Sequence, residues 1–227
     1  MNATSVFAGA VGGLFLASAA MGSPLQSVTM ELVNVGVQGT TYRLFANLDA
    51  GARIDAVYGN SVGTLSIAAV NGATMYQNAN GGPTSKEINS NFFPFVPSME
   101  WDSYVSIGAL YQNGAPFGGN NLNNIGINWS AFEGGGTLET DNGSWFVTPE
   151  DAQGGELNGQ VFLGQFTVAG GLGTADDLVG QINIQGKNAA GETWNAIGAS
   201  WNTPIPAPGA LALLGLAGLA SSRRRRG

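Results

Sequence analysis

The sequence contains no cysteine and no histidine. The first absence removes any disulfide framework, thiolate metal site or cysteine nucleophile. The second removes the commonest metal ligand and the commonest general base. Serine-hydrolase triads of the usual type and zinc enzymes are therefore excluded within this chain. Positive charge is scarce as well. Of the eight Lys and Arg residues, four are the consecutive Arg223, Arg224, Arg225 and Arg226. The rest of the chain keeps only Arg43, Arg53, Lys86 and Lys187, and four cations against 15 carboxylates leave it at −11. Cations so few and scattered cannot neutralise a phosphate backbone, which argues against nucleic-acid partners. The acidic balance suits an extracellular protein, or one that collects divalent cations. Internal repeats are missing, and so are the crossover helices that a parallel sheet needs.

What the chain does have is glycine and alternation. Glycine, at 36 of 227 residues, is about twice its usual share. With many Asn residues and few charges, this indicates a loop-rich β protein. The length suits one domain with a sizeable core once the ends are set aside. From Ser27 the apolar residues recur with period two. Val28, Met30 and Leu32 share a face, and Val33, Val35 and Val37 follow after a phase shift that implies a bulge or bend. Tyr42, Leu44, Ala46 and Leu48 face one way while Arg43 and Asn47 face the other. Arg53 to Tyr58 alternates again.

Thr64 to Val70 and Ala73 to Gln77 flank Asn71-Gly72 and read as a hairpin, because that dipeptide supplies the positive φ angles of a tight turn. Thr84-Ser-Lys-Glu87 has capping-box spacing for a short helix through Ile88. Phe92-Phe-Pro-Phe-Val-Pro97 is too rich in proline for a helix or a central strand, and its rings are expected to cover an open end of the core. Further strands are expected at Trp101 to Leu110, Ile125 to Trp129, Ser144 to Thr148, Gln160 to Val168, Leu178 to Gln185 and Thr193 to Trp201. One helical turn is expected at Thr148-Pro-Glu-Asp151. About ten short strands with turns between them predict an all-β fold, an antiparallel β-sandwich that is jelly-roll-like in size.

Three groups are candidate sites. On a strand, Glu100 and Asp102 would share one face with Trp101 on the other, and paired carboxylates can divide acid and base roles in glycoside hydrolysis. Neighbours two apart are more simply a solvated face. Flat rings match the apolar face of a pyranose, and Trp101, Tyr111, Trp129 and Trp145 are the candidate glycan contacts, with Tyr76, Trp194 and Trp201 also near expected loops or strand ends. The plainer reading is that such rings fill the core. Gly170 to Leu178 is similar to one unit of a calcium-binding nonapeptide repeat, so Asp176 and Asp177 are the candidate Ca²⁺ ligands. A single copy lacks the neighbours such repeats need. No other cofactor is expected.

The two ends carry an address. Val6 to Ala20 is an apolar run of signal-peptide length, with small-x-small cleavage sites at its end, Ala17-Ser18-Ala19 and Ala20-Met21-Gly22. Residues 1–22 are expected to form a signal helix, leaving an ectodomain over 23–203. In 204–227, Pro206-Ala207-Pro208-Gly209 precedes an uncharged Ala/Leu run to Ser222 and then Arg223 to Arg226. Ala and Leu are strong helix formers, and counted from Ile205 the run approaches a bilayer-spanning length. The Arg cluster should stay cytoplasmic, so the body lies outside. A plain membrane anchor would have the same topology. This order resembles the PEP-CTERM sorting signal, in a planctomycete-like variant with Pro-Ala-Pro in place of Pro-Glu-Pro. The resemblance covers 204–227 only. It implies recognition by an exosortase-type membrane protease, cleavage near the motif, and transfer of the body to the cell surface or exopolysaccharide matrix. The expected protein is an exported surface or matrix protein with no evident catalysis. A carbohydrate-binding module and a carboxylate-based glycosidase are the alternatives.

Overall fold

The computed structural model describes residues 23–201, whose twelve strands form two antiparallel sheets in an all-β body. In chain order the strands are β1 (Leu25–Gly36), β2 (Gly39–Leu48), β3 (Arg53–Gly59), β4 (Leu65–Ala69), β5 (Thr74–Met75), β6 (Tyr104–Val105), β7 (Asn123–Ile125), β8 (Leu138–Thr140), β9 (Gly143–Phe146), β10 (Gln160–Ala169), β11 (Leu178–Lys187) and β12 (Thr193–Ser200). A four-residue helix, α1 (Ser130–Glu133), and several 3-10 turns fill the connections. The first sheet runs β1-β2-β10, with the short β5 and β6 both along the far side of β10. The second is centred on β11. Strand β12 lies along one side of it, while β3 and β4 follow one another along the other. From β3 the sheet continues to β9 and β7, and from β4 to β8.

Side-chain alternation explains why these faces meet. In β2, Tyr42, Leu44, Ala46 and Leu48 are buried while Arg43, Phe45 and Asn47 point to the other face. One continuous buried cluster joins Leu44, Ala46, Leu163 and Phe166 of the first sheet to Ile54, Val57, Ile67 and Ile184 of the second. Burying a large aliphatic side chain contributes roughly 1.5–3 kcal/mol, so the many residues of this interface outweigh the single, largely buried Arg53–Asp55 ion pair, whose attraction is offset by desolvation. The phase change expected in β1 is a bulge: its register against β2 shifts between Leu32 and Asn34.

Strand β10 departs from simple alternation, because Val161 to Val168 are all buried. A bulge at Leu163 shifts its register against β2 between Phe162 and Gly164. Val161, Leu163, Phe166 and Val168 join the central core, whereas Phe162 belongs to a second, smaller cluster with Ile88 and Tyr104. Phe45, Phe93, Leu110 and Tyr111 pack against that cluster. The outer face of the first sheet is therefore covered by the segment 78–122, an outer layer with little regular structure.

Several expected elements are corrected. Asn71-Gly72 does form a turn, with φ of 58° and 80°, but β4 and β5 enter different sheets, so the turn joins the two layers and makes no hairpin. Thr84 and Glu87 make their capping hydrogen bonds, with the Thr84 N–H and hydroxyl both donating to the Glu87 carboxylate. They close an isolated turn, and the helix through Ile88 does not form. Trp101 to Leu110 is a strand only at Tyr104–Val105, preceded by a 3-10 turn at Pro97–Trp101. The strand expected at 125–129 lies at Asn123–Ile125, and Trp129 precedes α1. The turn after Thr148 is capped by Asp151, whose side chain accepts from the Gln153 N–H. The signal segment 1–22 and the sorting motif with its Arg cluster lie outside the described residues. Among the described residues no helix is long and apolar enough to cross a membrane.

The centre of the second sheet tolerates no added atom at Gly186, because a Cβ there would lie 1.9 Å from the Arg53 carbonyl oxygen. Gly186→Ala should push β3 away from β11 and cost about 1–3 kcal/mol, the range for overpacking a tight site. Urea unfolding should show this as a lower midpoint with an unchanged slope.

Candidate functional site

The outer layer is fastened to the first sheet by buried polar groups. Asp102, fully buried, accepts hydrogen bonds from the backbone N–H groups of Asn78 (2.7 Å), Ser103 (3.0 Å) and Gly82 (3.3 Å). The neighbouring Gly81 must be glycine, since a Cβ there would meet the Asp102 carboxylate at 1.7 Å. Burial pushes the Asp102 carboxyl up to about 7, with these three N–H donors opposing the shift and Glu133 adding slightly to it. On β10, buried Gln165 donates from Nε2 to the carbonyls of Glu100 (2.8 Å) and Asp102 (3.1 Å). Ser103 accepts from the Thr167 N–H at 3.0 Å. Further along, Gln153 donates to the Ile107 carbonyl at 2.6 Å, and Trp145 Nε1 to that of Ser106 at 3.1 Å.

Fastened in this way, the outer layer leaves a cleft of ≈ 210 Å³ against β2 and β10. The strands contribute Arg43, Phe45, Gln160 and Phe162 to its wall, and the layer contributes Leu110 and Phe117. Phe45 and Phe162 pack at 5.6 Å between ring centroids. The half-buried Arg43 guanidinium is oriented by two neutral oxygens. Nε donates to Gln165 Oε1 at 3.2 Å and Nη2 to the Tyr111 hydroxyl at 3.1 Å. Tyr111 is itself held edge-on by Phe93, at 5.2 Å. Among the described residues no acidic side chain lines the cleft. Tyr104, fully buried in the same cluster, has a hydroxyl without a hydrogen-bond partner among the described residues. Burial raises its ionisation well above the ordinary value, Tyr111 adds to this, and Arg43 opposes it. A second, more open concavity of ≈ 340 Å³ lies over Tyr58, Ile125 and Asn142.

The residues expected from sequence are dispersed. Trp145 is corrected: it is 1% exposed and joins the central core, so its ring presents no face to a sugar. Trp129 is half-buried beside α1, donating to Asn124 Oδ1 at 3.3 Å. Trp101 is half-buried at the end of the 3-10 turn. Of the four rings, Tyr111 is the one tied to the cleft, through Arg43. The Glu100–Asp102 pair is corrected too. Glu100 lies in the 3-10 turn, while Asp102 is buried and spends its carboxylate on the backbone. Asp177 receives N–H groups on both oxygens: Leu172 (3.0 Å) and Asn71 Nδ2 (3.2 Å) on one, Gly173 (2.6 Å) and Thr174 (3.2 Å) on the other. The Leu172 bond leads in holding its carboxyl below the ordinary range. A cation at Asp177 would have to displace these donors, and Asp176 beside it is exposed. Arg43, Gln165 and Tyr104 were not singled out by sequence pattern. The available signal was Arg43 standing opposite the apolar face of β2, one of four cations in the body.

Comparison with protein-family models, curated proteins and solved structures returns no match, so local geometry and the two terminal segments carry the functional reading.

The raised carboxyl of Asp102 sets a sign for pH dependence. Its folded value exceeds the unfolded one, so its stabilising contribution is complete below the ordinary value of 3.8 and is lost as pH rises through about 7. The loss over that window is on the order of 4 kcal/mol. Glu133, raised by its own burial and then by Glu87, shifts stability the same way. Urea midpoints measured from pH 4 to 8 should fall with pH, and Asp102→Asn, which cannot titrate, should remove most of the slope.

Proposed function

We propose that this chain is an exported cell-surface or extracellular-matrix protein without catalysis of its own. The observation that carries this reading is the order Pro206-Ala207-Pro208-Gly209, uncharged Ala/Leu run, Arg223 to Arg226. Residues 1–22 direct export, and the ectodomain over 23–203 is a jelly-roll-like sandwich. The apolar run before Arg223 holds the protein transiently in the membrane. An exosortase-type protease then cuts near Pro206 to Gly209 and passes the body to the surface or exopolysaccharide. Support comes also from the cation-poor, acidic body and from the lack of Cys and His. The carboxylate-based glycosidase gains no support, because Asp102 has no access to a substrate.

A second reading is favoured by the cleft: the body is a carbohydrate-binding module for matrix polysaccharide. Phe45, Phe117 and Phe162 offer rings, while Arg43 and Gln160 offer polar contacts. The folded body should then be retained by extracted matrix glycan. Repeating the pull-down with Ca²⁺ tests the Asp176–Asp177 loop at the same time, and no retention under either condition removes this reading.

Intact mass of the native protein from membrane, envelope and medium fractions tests the first reading. The expected species begins between Ala20 and Ser23, ends between Pro206 and Gly209, and is found outside the membrane. A form that keeps Arg223 to Arg226 and stays in the membrane overturns sorting and leaves an anchored ectodomain.

A further inference from the structure

We propose that the cleft between Arg43 and Phe117 receives a carboxylate-bearing pyranose, one uronic acid residue of an acidic glycan, with Arg43 as the partner of its carboxylate. The inference rests on the glycan-binding reading and adds the charge of the ligand to it.

Charge complementarity is the first support. Arg53 has its carboxylate within the body, Asp55 at 2.6 Å. Arg43 does not: the oxygens it meets, on Gln165 and Tyr111, are neutral. Among the described residues Arg43 makes no ion pair, although Glu31 stands opposite it on β1, and it faces a cleft with no acidic side chain in its described lining, so in a body that carries −11 its guanidinium is open to an anion. The guanidinium is also held from behind. Gln165 is buried and has its amide nitrogen tied to the carbonyls of Glu100 and Asp102, so its oxygen cannot swing away. A planar, oriented guanidinium suits a planar, singly charged carboxylate. A phosphate monoester, with close to two negative charges, would call for more positive charge than this one residue supplies, because Arg43 is the sole cation in the described lining.

Shape is the second support. Phe45, Phe162 and Phe117, with Leu110, give the cleft flat and aliphatic walls that match the C–H face of a sugar ring. Its ≈ 210 Å³ lies below the roughly 300–1,000 Å³ of sites that enclose drug-sized ligands. It therefore takes one ring, with the rest of the glycan continuing into solvent.

The test is calorimetric titration of the mature protein with tri-galacturonate, using maltotriose as the neutral counterpart. Wild type should bind tri-galacturonate. Arg43→Gln should weaken that binding at least tenfold without changing the response to maltotriose, in a variant whose circular dichroism shows it folded. Phe117→Ala, which removes a ring from the outer layer and no charge, should weaken tri-galacturonate several-fold and keeps the test alive if Arg43→Gln misfolds. Equal binding of tri-galacturonate by wild type and folded Arg43→Gln overturns the inference. So does a wild type that binds maltotriose as tightly, or one that is retained by matrix glycan yet titrates with neither trisaccharide; in both cases glycan binding survives. Failure of both the titrations and the pull-down removes the inference and the glycan reading together, and leaves sorting to be judged by mass.

Discussion

The Gln165 side chain is the joint on which the outer face of this protein depends. Its amide nitrogen holds the carbonyls of Glu100 and Asp102, and its oxygen holds Arg43. A buried amide is stable only when both ends are satisfied, and here the two ends serve different purposes. One end fastens the outer layer to β10, and the other aims a cation at the cleft that the layer creates. Asp102 extends the same joint by gathering the N–H groups of Asn78, Gly82 and Ser103, so a stretch with little regular structure is pinned from inside. Burial of β10 on both faces follows from this arrangement. The central core takes Leu163 and Phe166, and the outer layer covers Phe162 and Gln165.

Scarcity of cations gives each one a readable role. Arg53 is neutralised locally by Asp55, whereas Arg43 is oriented by neutral groups and left to face an apolar hollow. The same composition explains how loops close in this chain: carboxylates and amides take backbone N–H groups where other proteins use ion pairs. Asp177 does so for the Gly171–Thr174 turn, Asp151 for the turn before Gly155, and Glu156 for Gly51 and Gly159. Acidic residues that look like cation ligands in sequence are, in the folded chain, largely spent as loop caps.

Where alternation was clean, the sequence was legible. Tyr42 to Leu48 and Arg53 to Tyr58 form the strands expected of them, and the phase slip after Leu32 is a bulge. The Asn71-Gly72 turn was legible as a turn, but whether its flanking strands pair with each other depends on partners far away in the chain. β4 pairs with β8 and β11, and β5 with β10. The site was less legible for a related reason. Trp145 and Trp129 have the same side chain near similar Asn- and Gly-rich loops, yet one is core and the other half-buried. Glu100 and Asp102 are two apart, yet a 3-10 turn between Pro97 and Trp101 separates their environments.

The sequence by itself determined the all-β class and the inward faces of the longer strands. These depend on side-chain period and local composition, which are one-dimensional properties. Only the tertiary structure decided that residues 78–122 fold over the outer face of the first sheet, that Asp102 is buried beneath them, and that Arg43 and Tyr111 meet across 68 positions of chain. Those outcomes follow from long-range burial and from the need to satisfy each buried polar group, and neither can be read from a window of neighbouring residues.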